Sequence, residues 1–210
     1  MKILLHPTYF PSIATFAAMV QHDVIWEACD NFQKQTYRNR CYISTDKGKH
    51  MLNIPIKHTG EKEGRQKYID VRTENSYNWK KEHWRTLETA YRTSPFFEFY
   101  EDELRPLYVG SQNSLYEFNL KTIEAVADCI GIEIPTEKTK KYEVEPITYF
   151  DTRFLVEAKK EKDWNIEPYT QVFEERHGFI PNLSVLDLLF NEGTNTLNYL
   201  KSLSLDIKNA

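Results

Sequence analysis

The apolar and polar positions of this chain change rhythm several times, and each change predicts an element. Lys2 to Leu5 is a short apolar run that reads as a buried strand, stopped by His6-Pro7. Pro7 and Pro11 bracket a loop, and Ser12 stands where an N-cap belongs. From Ile13 to Gln21 the apolar residues Ile13, Phe16 and Val20 recur at spacings of three and four, which predicts a helix. Asp23 to Glu27 reads as a second strand. Strand, loop, helix and strand within some thirty residues predict a βαβ unit, so a parallel pair and an α/β fold. Ligands gather at the carboxyl ends of such strands, and here those ends hold His6, Tyr9 and Glu27.

Period-two alternation resumes at Tyr37 to Ile43 and again at Met51 to Ile56, predicting an antiparallel pair around Thr45-Asp46-Lys47-Gly48-Lys49. Lys57 to Lys67 is charged and glycine-containing, a loop, and Tyr68 to Arg72 is a further strand candidate. Beyond residue 76 the pattern becomes helical. Asn78 caps a helix whose Trp79, His83, Leu87 and Ala90 share one face. Pro95 opens a second helix running to about Tyr108, and a third spans Leu115 to Ile130 and stops at Gly131. The segment from Ile134 to Pro146 alternates charge and turn signals, a short strand or an ordered tail, and Glu157 to Asp163 reads as a solvated charged run. Leu183 to Phe190, ended by Gly193, and Thr194 to Ser202 complete the helices. The expected architecture is a single domain over residues 1–210, a βαβ-opening mixed sheet in 1–75 and a predominantly helical second half in 76–210.

Composition narrows this picture. A formal net charge of −4 argues against binding a nucleic-acid polymer. The 13 Tyr, 12 Phe and 4 Trp promise a core rich in rings. Three scattered cysteines, Cys29, Cys41 and Cys129, exclude a four-cysteine zinc site and fit a reducing compartment. No run reaches the length of a membrane span, and Ile3-Leu4-Leu5 is too short for a signal-peptide core, so a cytoplasmic protein is expected.

The chemistry centres on Lys34-Gln35-Thr36-Tyr37-Arg38-Asn39-Arg40, which holds three cations and no acid. If a strand begins near Thr36, alternation sets Arg38 and Arg40 on one face, a fork for phosphate or carboxylate. The other face carries Tyr37, Asn39, Cys41 and Ile43, so Asn39 should be buried with its amide bonded, and Cys41 buried and inert. Three cations so close need negative charge nearby, and Glu27 supplies only one. The expected pocket joins His6, Tyr9 and Glu27 as proton-handling groups with Lys34, Tyr37, Arg38, Asn39 and Arg40 as substrate-binding groups. The alternative is that both arginines are tied into structural ion pairs, with Glu98 or Asp187 for example. His83 reads as a core histidine, no histidines show metal-ligand spacing, and no standard catalytic or cofactor motif is present.

Taken together, these stretches resemble the WbqC-like protein family. The matching residues are His6-Pro7-Thr8-Tyr9-Phe10-Pro11, Tyr37-Arg38-Asn39-Arg40, Leu52-Asn53-Ile54-Pro55-Ile56 and Asp70-Val71-Arg72. They continue through Trp79 with His83-Trp84-Arg85, Tyr91 before Ser94-Pro95-Phe96-Phe97, and the run Asn182 to Gly193. The chain departs from the family's pattern where His6 replaces the loop glutamine, Ser12 a tryptophan, Ala14-Thr15 a Gly-Tyr, and Ala28-Cys29 an acidic pair. The resemblance implies a role in surface polysaccharide (O-antigen type) biosynthesis, as a transferase of an amino acid such as glycine to a sugar. Its expected partner is a phosphate- or carboxylate-bearing small molecule such as a nucleotide-activated sugar. The alternatives are a non-catalytic nucleotide- or sugar-binding module and a nucleotidyltransferase-like enzyme.

Overall fold

A computed structural model describes residues 1–57, 66–159 and 162–207. The chain opens as its pattern predicts, with β1 (Lys2–Leu5), α1 (Ile13–Gln21) and β2 (Asp23–Trp26). The Ser12 side chain caps α1 by accepting from the Thr15 amide at 3.4 Å. β1 and β2 pair in parallel, Ile3 against Val24 and Leu5 against Trp26. On the other side of β1 lies β5 (Phe150–Asp151), also parallel, giving the order β2-β1-β5. Two residues long and preceded by irregular chain, β5 carries no periodicity that sequence reading could detect. Residues 137–139 run beside the free edge of β2, where the Trp26 amide donates to the Glu137 carbonyl and the Thr139 amide to the Trp26 carbonyl.

The two faces of this sheet differ. Ile3, Leu5, Val24 and Trp26 belong to the main core, whereas Leu4 and Ile25 are buried on the opposite face, over a separate cleft.

β3 (Arg40–Thr45) and β4 (Gly48–Asn53) form the expected antiparallel pair, shifted along the chain and joined by a tight turn. Residues 37 and 38 are in a turn rather than a strand. The strand candidate at Tyr68 to Arg72 is instead a 3₁₀ turn over Tyr68–Asp70, followed by single bridges from Arg72 to Ser114 and from Thr73 to Ile56. Most of the expected loop from Lys57 to Lys67 and part of the charged run from Glu157 to Asp163 lie outside the described residues.

The helical half is α2 (Trp79–Tyr91), α3 (Phe97–Leu104), α4 (Leu115–Ile130), a single turn α5 (Glu174–His177), α6 (Val185–Glu192) and α7 (Thr196–Ser202). Trp79, His83, Leu87 and Ala90 are buried along one face of α2, as their spacing predicts. Asn78 stands at the N-cap position, but its side chain makes no capping bond. The second helix ends at Leu104, and a 3₁₀ turn continues it to Tyr108. α4 stops at Gly131, whose φ of 73° is the left-handed conformation that terminates a helix readily in glycine.

The two ends of the chain are sewn together. The amide of Ile13 donates to the Leu183 carbonyl and that of Val185 to the Pro11 carbonyl, each at a bond length typical of secondary structure. The Ala14 amide donates to Asn182 Oδ1 at 2.8 Å, and Ser184 Oγ to the Phe10 carbonyl at 3.1 Å. Phe10 holds a φ of 38°, unusual for a bulky residue, and these contacts together with Thr122 Oγ1 on its amide keep it there.

Candidate functional site

The carboxyl ends of the three parallel strands bring together His6 after β1, Glu27 and Asp30 after β2, and Arg153 after β5. Arg38 enters the same place from the turn before β3. Its Nη2 lies 2.7 Å from Asp30 Oδ2 and 2.7 Å from His6 Nε2, and His6 Nε2 is 2.9 Å from the same Asp30 oxygen. A neutral imidazole nitrogen meets only one of its two contacts, donating to Asp30 or accepting from Arg38. His6 and Arg38 are almost wholly buried, and the Arg38 guanidinium sits 5.4 Å from the centre of the Tyr68 ring.

Burial, reinforced by the Arg38 charge, lowers the His6 pKa to about 4, so the ring is neutral at pH 7. Burial pushes the Asp30 carboxyl up, but the His6 hydrogen bond and the Arg38 charge outweigh it and hold it below its ordinary range. Glu27 Oε1 accepts from the Cys29 amide at 2.8 Å, the Asp30 amide at 3.2 Å and Thr139 Oγ1 at 2.9 Å. Among the described residues, Glu27 Oε2 receives no hydrogen bond and faces Arg153 Nη1 3.6 Å away. Arg153 in turn holds Asp151, with Nε on Oδ1 at 2.8 Å and Nη2 on Oδ2 at 2.6 Å. The cluster thus sets Arg38 and Arg153 against Glu27, Asp30 and Asp151. With His6 neutral, two positive groups face three carboxylates, and the cluster leaves no surplus positive charge for an anion.

The loops that carry this cluster are pinned by Asn119, fully buried on α4. Its Nδ2 donates to the Arg38 carbonyl at 2.6 Å and to the Tyr68 hydroxyl, which itself donates to the Pro7 carbonyl. An amide on the apolar stripe Leu115, Phe118, Ile123 and Val126 is the signal in the sequence that would have found it. The need for a second acid was equally legible, since the crowded cations required one, but nothing local in the sequence singled out Asp30.

Arg38 and Arg40 do not form a fork. Arg38 points into the buried cluster. Arg40 lines a separate open cleft of about 530 Å³ with Lys34, Asn39, Asn53, Phe32 and Tyr77. The alternation fails because residues 37–39 turn, the Tyr37 amide donating to the Val156 carbonyl at 2.9 Å and the Tyr37 carbonyl accepting from Tyr9 at 3.2 Å. Asn39 is buried as expected, and its Nδ2 donates to the Ile54 carbonyl at 3.0 Å and Asn53 Oδ1 at 3.1 Å. Its Oδ1 and the Arg40 Nε are buried without a partner among the described residues.

The remaining expected residues lie elsewhere. The Tyr9 hydroxyl is held in the core between His83 Nδ1 at 3.0 Å and the Tyr108 hydroxyl at 2.9 Å. Tyr37 is buried with its ring edge-on to Tyr42. Cys41 is buried and burial raises its thiol pKa, which keeps it inert. Neither Glu98 nor Asp187 pairs with these arginines: Glu98 lies 3.7 Å from Arg92, and Asp187 accepts from Tyr91, Tyr169 and Gln171. Among the described residues no group of His, Cys, Asp and Glu is arranged to hold a metal ion, and no helix is long and apolar enough to cross a membrane.

Comparison with known proteins places this geometry in a lineage. A protein of Mycobacterium tuberculosis (strain ATCC 25618 / H37Rv), described as uncharacterized protein Rv1507c, is 26% identical over 221 residues, covering 92% of this chain and 91% of its own length. No solved structure matches the chain. The model of the WbqC-like protein family matches residues 6–163, a span that contains every residue of the buried cluster and of the Arg40 cleft; the chain therefore belongs to the WbqC-like protein family.

Proposed function

We propose that this protein is a transferase of surface polysaccharide (O-antigen type) biosynthesis, and that the Arg40 cleft holds a phosphate-bearing sugar donor. One observation carries the reading: two buried polar atoms without partners among the described residues, Asn39 Oδ1 and Arg40 Nε, belong to residues that line the same cleft. An unmatched acceptor beside an unmatched cationic donor suits a ligand that combines hydroxyls with an anionic group. Lys34 adds a second positive charge at the rim, and Phe32 and Tyr77 offer ring faces for a sugar or a base. The family resemblance supplies the finer form, with an amino acid such as glycine as the transferred group.

The buried cluster serves this reading as scaffold and charge store. The neutral His6 ring accepts or donates through Nε2, and its contacts with Asp30 and Arg38 fix the loop that leads from β1. A non-catalytic nucleotide- or sugar-binding module is the second reading, favoured by the fact that none of His6, Tyr9 and Glu27 lines the Arg40 cleft.

Calorimetric titration of the full chain with nucleotide-activated sugars tests the proposal. Arg40→Ala should weaken binding by roughly tenfold or more, about 1.4 kcal/mol, with little change in melting temperature. A variant that melts earlier but binds as before would assign Arg40 to structure. Release of nucleotide on adding an acceptor separates the transferase from the binding module.

A further inference from the structure

The face of the parallel sheet that does not join the main core forms the floor of a second cleft, of about 410 Å³, bounded by residues 137–149. It shares no lining residue with the Arg40 cleft. Leu4 and Ile25 make an apolar floor, Glu27 stands at the end of β2, the Tyr149 ring forms a wall, and Lys138 and Lys140 stand at the mouth.

Two features of this cleft are unexplained by folding alone. Glu27 is buried, yet Oε2 receives no hydrogen bond among the described residues while Oε1 receives three. Arg153 does not satisfy it, because its donors go to Asp151 and to the carbonyls of Glu143 and Val144. A buried carboxylate oxygen without a donor is costly, and a ligand that donates to it is correspondingly favoured. The second feature is the charge at the mouth. Lys141 is paired with Glu143, and Lys2 with Glu137, but Lys138 and Lys140 make no ion pair among the described residues.

We propose that this cleft is a second ligand site, for the phosphate monoester of a polyol such as a sugar phosphate. A hydroxyl of the ligand donates to Glu27, its carbon skeleton lies on Leu4 and Ile25 beside Tyr149, and its phosphate meets Lys138 and Lys140. A hydroxyl suits Glu27 better than an ammonium does, because Arg153 already sets a positive charge 3.6 Å from Oε2 and the lysines repel a further cation. The volume is that of a small-molecule site. The inference does not depend on what occupies the Arg40 cleft.

The test is amide NMR titration of the full chain with glucose 1-phosphate, with glucose, inorganic phosphate and glycine as comparison probes. Saturable binding of glucose 1-phosphate is expected, with shift changes concentrated in residues 137–149. The double variant Lys138→Ala with Lys140→Ala removes only exposed side chains and should weaken binding by roughly tenfold or more. Glu27→Gln should weaken glucose 1-phosphate while leaving inorganic phosphate unchanged. The proposal is overturned if the double lysine variant binds normally, if inorganic phosphate or glycine binds as tightly as glucose 1-phosphate, or if the shift changes fall around the Arg40 cleft and leave residues 137–149 unmoved.

Discussion

Replacing Arg38 with methionine isolates the buried cluster. Methionine matches much of the arginine's apolar volume, so the change removes the charge and its hydrogen bonds more than it opens a cavity. What stays behind is Asp30, with 11% of its side chain exposed, stripped of the guanidinium 2.7 Å away. Breaking a buried pair by deleting one partner costs about 3–5 kcal/mol, because the other charge is left uncompensated. With a urea m-value of roughly 2 kcal/mol/M, the unfolding midpoint should fall by about 1.5–2.5 M near neutral pH. The geometry also dictates how that penalty varies with pH. Arg38 is one of the influences that hold His6 down to about 4, and His6 remains 2.9 Å from Asp30. Without Arg38 the ring takes up a proton more readily and can replace the lost cation. The difference between native chain and variant should therefore narrow as the pH falls from about 7.5 toward 5.5. Urea titrations at the two pH values, followed by tryptophan fluorescence, measure both effects. An unchanged midpoint at neutral pH, or a penalty that grows in acid, would refute the account of Arg38 as the structural counter-charge of Asp30.

Two further outcomes follow from buried groups. Gly193, with a φ of 54°, has no room for a side chain: an added Cβ would lie 2.5–2.6 Å from ring carbons of Phe96. Gly193→Ala should cost about 2–4 kcal/mol and lower the melting temperature by roughly 5–10 °C, and an unchanged melt would show that Phe96 yields freely. In the native chain, burial lowers both His6 and His83 to about 4, so the unfolded state binds more protons than the folded one as the pH drops below about 6.5. Stability should fall between pH 6.5 and about 4, against an opposing trend from Asp187, whose carboxyl burial raises; NMR titration of the two imidazoles in the folded chain separates the contributions, and midpoints near 6.5 would refute the account.

What the sequence revealed and what it hid have separate physical causes. The βαβ opening was legible because each of its signals is local: an apolar run, two prolines, a capping serine and a helical stripe. The buried face of α2 was legible for the same reason. The site was only half legible. Alternation set Arg38 and Arg40 on one face because it assumed an extended chain, and the turn that separates them is made by bonds to Val156 and Tyr9, remote in sequence. The need for a second acid was visible in the charge balance, but its identification as Asp30 depends on how the chain turns after β2. β5 and Arg153 left no local signature, since two residues of strand are too few to show a period.

The stitching of the Pro11–Ala14 segment to Asn182–Val185 bears on how the protein is made. The Pro11–Ala14 segment finds these partners only after about 170 further residues have been added, which at 5–20 residues per second is roughly 10–35 s of synthesis. During that interval the first helix has its cap but not its neighbours, and Phe10 lacks the contact from Ser184 that helps hold its left-handed backbone. The opening unit, which looks the most self-sufficient part of the chain, is thus among the last to be locked. Nascent chains halted before residue 182 should leave that unit accessible to proteases and chaperones, however complete the sheet beneath it.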